Sequence, residues 1–142
     1  SVAEIKSALR ELEPSDLNAI ESFMADLRLE QAVAAGEFDA HWETAKQDVD
    51  AGKGKPLDDL INDEPDFWKC YRGAPTEIQQ ATRKAYQLWR DNPQHPSLHF
   101  KPVGNFWCVR ITRSWRAVGR YHEGDLVWFW MGNHGPYERK IK

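Results

Sequence analysis

Apolar residues recur every three or four positions along the first third of the chain, a pattern that predicts three amphipathic helices. Ser1 and Ser15 can cap the first two, while Pro14, Gly36 and Gly52 mark the three ends. Isolated helices of this length seldom persist in water, so we expect a partner surface to bury their stripes; a three-helix bundle is the alternative. The stripes are Val2, Ile5, Leu9 and Leu12; Leu17, Ile20, Phe23, Met24 and Leu27; and Phe38, His41, Trp42, Ala45 and Val49.

Aromatic residues become frequent after Pro65, where six of the seven tryptophans lie. Phe67 to Tyr71 predicts a short helical turn. A longer helix begins with Pro75 at its first position and ends at Asp91, before a proline-rich stretch. One face of this helix is apolar and the other is partly basic, with Arg83 and Lys84 on the basic side. We therefore expect one side to pack on a core and the other to meet solvent or an anion.

Strands are predicted after this helix. Leu98 to Val103 indicates an edge strand interrupted by Pro102, and Phe106 to His134 indicates a β-meander. The last strand, Leu126 to Met131, is apolar at both alternating sets of positions, which is typical of a central strand covered on both faces. Helices followed by strands predict an α+β fold.

The length of the first turn in the meander decides where its arginines lie. A three-residue connection near Arg113 would place Arg110, Arg116 and Arg120 on one face, opposite an apolar face that includes Val109. A two-residue connection would mix the two sets. We favour three residues, which gives one face for a core and one for an anion.

Charge divides the chain more sharply than its net value of −3 suggests. Residues 1–66 hold 6 Lys and Arg against 17 Asp and Glu, a net of −11, and the remainder holds 13 against 5, a net of +8. The basic half could bind a polyanion, the acidic half, or both in turn. Lys53 to Pro56 is the best candidate for a linker between them.

The composition favours a cytoplasmic protein. No apolar run approaches the roughly 20 residues of a membrane helix, and the N-terminus is charged where a signal peptide would be apolar. Cys70 and Cys108 are far apart without metal-type spacing, and we expect two reduced core thiols.

Residues 67–137 resemble toxins of the RelE/ParE superfamily from bacterial toxin–antitoxin modules. The resemblance lies in the segments FWKCYRGAP, LWRDNPQHPSLHFK, WCVRITRSWRAVGRY and VWFWMGNHGPY, which occur in this order. It implies a domain over residues 63–142 in which helices pack on a twisted, mainly antiparallel sheet of about four strands. Residues 1–62 are similar, less specifically, to the acidic antitoxins encoded beside such toxins, through VAEIKSALRELEPSDL, AAGEFDA and DAGKGKPLDDL. They carry no recognisable DNA-binding motif.

The resemblance implies a ribosome-dependent cleavage of messenger RNA by its own 2′-hydroxyl, without metal or cofactor. Arg116 matches the arginine that contacts the scissile phosphate, and Arg110 matches a basic strand position. His134 and Tyr137 match the basic and aromatic positions after the last strand, and His134 is our candidate acid or base because its ordinary pKa lies near neutrality. Cys108 stands where better-known members carry a lysine, and Lys101 could substitute for it. The remaining residues expected to bind RNA are Arg83, Lys84, Arg113 and Arg120.

Other functions remain open at this point. The superfamily also contains gyrase inhibitors that cleave no RNA, and the arginines could equally form a solvated sheet face or a non-catalytic docking surface for the acidic half. The expected partners are mRNA, the ribosome and the acidic segment of the same or a neighbouring chain, and a homodimer is not excluded.

Overall fold

The structure, a computed structural model, describes residues 1–52 and 66–133. Within these ranges the protein has an α+β fold, with five α-helices and a four-stranded antiparallel sheet. None of the described helices is long and apolar enough to cross a membrane. The helices are α1 (Val2–Leu9), α2 (Pro14–Ala34), α3 (Asp39–Asp50), α4 (Asp66–Gly73) and α5 (Thr76–Asp91), followed by a short 3-10 helix (Pro96–Leu98).

Local sequence explains most of the helix boundaries. Ser1 forms a capping box with Glu4 at the start of α1, as expected from its position. Ser15 does not cap α2, because Pro14 already occupies the first turn, where its missing N–H costs nothing. Gly36 and Gly52 follow α2 and α3 with positive φ angles of 77° and 79°, a conformation that suits glycine at helix ends.

The sheet follows the chain in the order β1 (Lys101–Val103), β2 (Phe106–Arg110), β3 (Arg116–His122) and β4 (Asp125–Gly132). The prediction of an edge strand containing Pro102 is confirmed. The prediction that the last strand is central is wrong, since β4 lies at one end of the described sheet. Its apolar residues on both sides have another cause, which is that helices cover both faces of the sheet.

The three-residue turn is confirmed. Ile111 N donates to Trp115 O over 2.9 Å, which encloses residues 112–114, and Arg110 lies directly across from Arg116 in the β2–β3 pairing. Because side chains alternate along a strand, Arg110, Arg116 and Arg120 start from the same face of the sheet.

The expectation of one core face and one free face is wrong, because each face of the sheet carries a core. The first core joins α2 and α3 to the arginine-bearing face, and the second joins α4 and α5 to the opposite face. The buried members of the first are Leu29, Ala32, Phe38, Trp42, Ala45, Phe106, Cys108, Val118, Phe129 and Trp130. Those of the second are Phe67, Trp68, Tyr71, Ala74, Leu98, Val109, Ala117 and Met131.

Helix α2 packs through a face that its apolar stripe did not predict. Phe23 and Met24 are 63 % and 44 % exposed, and Leu17 and Leu27 are exposed as well. The buried residues are Ser22, Ala25, Leu29 and Ala32. Mostly small side chains bring the helix backbone close to the sheet, which is what the contacts of Arg116 require.

Candidate functional site

Arg116, the first residue of β3, is the centre of the site and its side chain is only 4 % exposed. One terminal nitrogen, Nη1, donates to three carbonyl oxygens of its own turn, those of Thr112 at 2.7 Å and of Arg113 and Trp115 at 3.1 Å. The carbonyls of Thr112 and Arg113 lie within the turn, and that of Trp115 also accepts from Ile111 N. This part of the guanidinium therefore shapes the turn.

The other edge of the same guanidinium faces α2. Nε donates to Asp26 Oδ1 over 2.7 Å, and Nη2 donates to both the carbonyl and the hydroxyl oxygen of Ser22 at 2.9 Å. A planar edge with two parallel donor directions is the geometry with which arginine binds carboxylates and phosphates. In this chain the edge is filled by residues of α2, which is part of residues 1–62; we call residues 1–62 the acidic segment.

Three more of the predicted cations also contact the acidic segment. Lys101 Nζ lies 3.6 Å from Asp26 Oδ2, and Arg113 Nη1 lies 3.3 Å from Glu21 Oε1. The guanidinium of Arg120 lies over the ring of Trp42, 5.3 Å from its centroid, a cation–π contact. We call Lys101, Arg113, Arg116 and Arg120 the covered cations.

Arg110 is placed differently from these four. Its Nη1 lies 3.4 Å from His99 Nε2, and its side chain lines a cleft of about 360 Å³ with Lys84, Ser97 and Thr112. This cleft, the open groove, lies between α5, the 3-10 helix and the end of β2. None of the described residues of the acidic segment lines it.

Arg83 is partly engaged within its own half of the chain. Its Nε donates to the hydroxyl oxygen of Tyr71 over 2.9 Å, and its guanidinium lies over the Tyr71 ring. With Lys84 it lines a second, shallower cleft of about 550 Å³ on α5. The predicted RNA-binding residues of α5 thus lie beside the open groove rather than beside Arg116.

Cys108 cannot supply the proton acceptor that the resemblance implies at this position. Cys108 is 2 % exposed within the first core, and burial raises the pKa of its thiol to about 12. Lys101 and Arg116 lower this pKa, whereas Asp26 and Glu30 raise it further. The thiol therefore stays protonated and inert near neutral pH. Lys101, the suggested substitute, has Asp26 beside its ammonium group.

His134 and Tyr137 lie outside the described residues, so their proposed acid, base and stacking roles stay predictions. Sequence reasoning missed Ser22 and Asp26 as site residues. Their i, i+4 spacing puts them on one helix face with Ala25 and Leu29, but that face is weakly apolar and the stronger stripe beside it drew the prediction. The excess of acidic residues in residues 1–62 was the one sequence signal that pointed to Asp26 as a site residue.

Asp50, His122 and Glu123 form a group whose potential metal-ligating atoms lie within 4.8 Å of one another. His122 Nε2 is 2.8 Å from Asp50 Oδ1, and its ring packs edge-on against Trp42. These contacts connect the end of α3 to the β3–β4 turn, and this structural role accounts for the group. Exposed carboxylates of this kind commonly occur without a metal, and the two acids here are exposed.

Chemically, the covered cations form a concentrated positive surface that suits an anion, and the anion present is a carboxylate of α2. The open groove carries two further cations outside the cover of α2 and α3. A function for these surfaces must be argued from their geometry, because no family model, no curated protein and no solved structure matches the chain.

Proposed function

We propose that this chain is a self-inhibited toxin–antitoxin protein of the cytoplasm. Residues 63–142 form a RelE/ParE-like endoribonuclease that cuts messenger RNA on the ribosome, and residues 1–62 mask it. The observation that carries the proposal is the occupation of the Nε and Nη2 edge of Arg116 by Asp26 and Ser22. A carboxylate offers one negative charge and two oxygens, so it resembles the non-bridging oxygens of a phosphodiester and competes with them.

The chemistry needs few groups. Attack by a 2′-hydroxyl on the adjacent phosphate requires a proton acceptor, cations for the negative charge that grows on the non-bridging oxygens, and a proton for the departing 5′-oxygen. Arg116, with Lys101 and Arg113 near Asp26 and Glu21, would supply the cations once α2 has moved away. His134 would supply a proton or accept one, and Tyr137 would stack on or protonate the substrate.

Apolar packing as well as ion pairs holds residues 1–62 against the rest of the chain, and this determines which experiment can test the inhibition. Phe38 and Trp42 belong to the first core together with Phe106 and Trp130, so removing residues 1–62 would expose a buried apolar surface. Charge reversal within the full chain is the cleaner experiment. Replacing Glu21 and Asp26 by lysine puts like charges against Arg113 and Arg116, which should loosen the segment while the chain stays whole.

We expect the Glu21→Lys/Asp26→Lys variant to cleave mRNA in a cell-free translation reaction at least tenfold faster than the parent chain. Glu11→Lys/Asp16→Lys, the same charge change at exposed positions of the segment, should behave as the parent. Adding Arg116→Ala to the first variant should abolish cleavage. A milder variant, Asp26→Asn, covers the case in which the double reversal does not fold. If both variants fold and stay as silent as the parent, the masking proposal fails.

A non-catalytic module is the second candidate, favoured by the complete bonding of Arg116 within the folded chain and by the neutral Cys108. Under this alternative Arg116 holds the turn and receives α2, and the charge-reversed variant cuts nothing. A gyrase inhibitor would also spare RNA. Replacing Arg116 and His134 together by alanine in the unmasked variant, with RNA cleavage and DNA supercoiling both measured, distinguishes the three.

A further inference from the structure

The open groove differs from the rest of the basic surface in having its charges available while α2 and α3 are in place. Lys84 is exposed, and the side-chain hydrogen-bond partner of Arg110 among the described residues is the imidazole of His99. No carboxylate of the described chain forms an ion pair with either side chain. Two cations at one cleft that form no ion pair with a described carboxylate create a local positive potential that attracts anions.

The lining of the groove is suited to a ligand with alternating polar and apolar parts. Thr112 lines the groove with the two cations, and its hydroxyl group, whose oxygen accepts from Trp115 N, can donate to a phosphate oxygen. Ser97 also lines the groove, but its hydroxyl lies 2.8 Å from His95 Nδ1. Leu88, Leu98 and Ile111 supply an aliphatic surface in the same cleft, against which a base or a sugar can pack. A free phosphate ion would bind the two cations but leave this apolar surface in contact with water.

The groove also continues along α5. Ala81 and Lys84 line both the open groove and the second cleft, and the second cleft is completed by one cation, Arg83, one carboxylate, Glu77, and the amides of Gln80 and Gln87. A chain of regularly spaced negative charges can occupy both clefts, whereas a single small anion can occupy one. Single-stranded nucleic acids are bound in this way, by a positive groove that follows the backbone with apolar contacts to the bases.

We propose that the open groove binds the phosphodiester backbone of single-stranded RNA in the intact, masked protein. The choice of RNA as the ligand depends on the proposed function, whereas the inference of an anion-binding groove depends only on the residues that line it. Thr112 lines the groove and its carbonyl also accepts from Arg116 Nη1, so RNA seated there lies beside the turn that positions the covered cations. The intact chain then holds RNA without cutting it, and release of α2 is the step that separates binding from cleavage.

The test measures binding of a short fluorescent single-stranded RNA to the full chain by anisotropy over a series of salt concentrations. We expect Lys84→Ala/Arg110→Ala to weaken binding about tenfold or more and to lower the salt slope by about 0.7 per lost phosphate contact. Lys6→Ala/Arg10→Ala removes the same charge from exposed positions of the acidic segment and should leave binding unchanged. Lys84→Glu alone serves if the double variant does not fold.

Other outcomes overturn the proposal. Parent protein that does not bind the RNA, or a Lys84→Ala/Arg110→Ala variant that binds as the parent does, excludes the groove as its site. Equal competition by inorganic phosphate or by an acidic peptide of the same charge would make it a general anion or protein contact. Binding through the groove with no cleavage by the Glu21→Lys/Asp26→Lys variant would defeat the ribonuclease and leave this site standing; cleavage without groove binding would do the reverse.

Discussion

Arg110 and Arg116 face each other across one hairpin, yet their surroundings differ in every respect that matters for chemistry. Arg116 is buried beneath α2 with each guanidinium nitrogen bonded, and Arg110 reaches an open cleft with one imidazole as its described partner. The two side chains start from the same face of two paired strands. The difference comes from what lies above each, since α2 covers the β3 side and none of the described helices of the acidic segment lines the groove.

One basic strand pair thus has two different surroundings. The covered cations contact the acidic segment through two ion pairs with Asp26, which is 18 % exposed, one ion pair with Glu21, which is 51 % exposed, and one cation–π contact. The groove cations form no ion pair with a described carboxylate. Under the proposed function, an acidic segment that covers only part of the basic surface would inhibit cleavage without preventing RNA binding, provided that the two halves stay packed.

Trp42 gives the largest expected effect, because it anchors the covered side. Its ring is buried in the first core against Phe129 and beneath Arg120, and we expect Trp42→Ala to lower the free energy of unfolding by about 3–5 kcal/mol. Urea denaturation followed by circular dichroism measures the change. Phe23→Ala, at a residue 63 % exposed, is the control and should cost less than about 0.5 kcal/mol. Equal costs would mean that the segment is not held on the sheet as described.

Replacing Asp26 tests whether burial of Arg116 depends on its ion pair with α2. Asp26→Ala leaves a buried guanidinium without its counter-ion, and we expect a loss of about 3 kcal/mol in the same assay. Adding Arg116→Met should recover part of this loss, because an apolar side chain does not need the missing charge. A cost below about 1 kcal/mol would show that water reaches Arg116 and that the covered and open sides differ little.

The pH dependence of stability that Cys108 contributes measures how well α2 and α3 exclude water from the sheet. The folded thiol keeps its proton up to a pH of about 12, whereas the unfolded thiol loses it near 9.0, so the unfolded state binds fewer protons between these values. Stability should therefore fall as pH rises through this window, by at most about 1.4 kcal/mol per pH unit. Cys108→Val should lack this component. Parallel pH profiles for the two proteins would contradict a thiol sealed beneath α2 and α3.

The contact between Glu21 and Arg113 should have the smallest effect. Both side chains are about half exposed, at 51 % and 45 %, and an ion pair in water contributes little. We expect Glu21→Ala to change the free energy of unfolding by less than about 0.5 kcal/mol, and added salt to remove the difference. A larger, salt-resistant cost would place this pair with Asp26 and Arg116 as a structural contact.

Much of the fold followed from local patterns in the chain. The helix order, the edge strand with Pro102, and the three-residue turn that pairs Arg110 with Arg116 came from period, turn residues and alternation. The buried face of α2 did not follow from these patterns. Phe23 and Met24 formed the stronger apolar signal, whereas the face that packs on the sheet carries mostly small residues, which allow the helix to lie close to it. The central placement of β4 failed for a related reason, since apolar content on both faces reports coverage by helices and not position in the sheet.

By itself, the sequence determined the elements, the turn register and the division into an acidic and a basic half, since each depends on neighbours within a few residues or on composition alone. The tertiary structure decided which arginine is covered and which is open. That outcome depends on the placement of Ser22 and Asp26 against Arg116, groups about 90 residues apart in the chain, and on a groove that exists only where α5 and the end of β2 meet. Burial and charge pairing across such distances are properties of the packed molecule, and no short-range pattern encodes them.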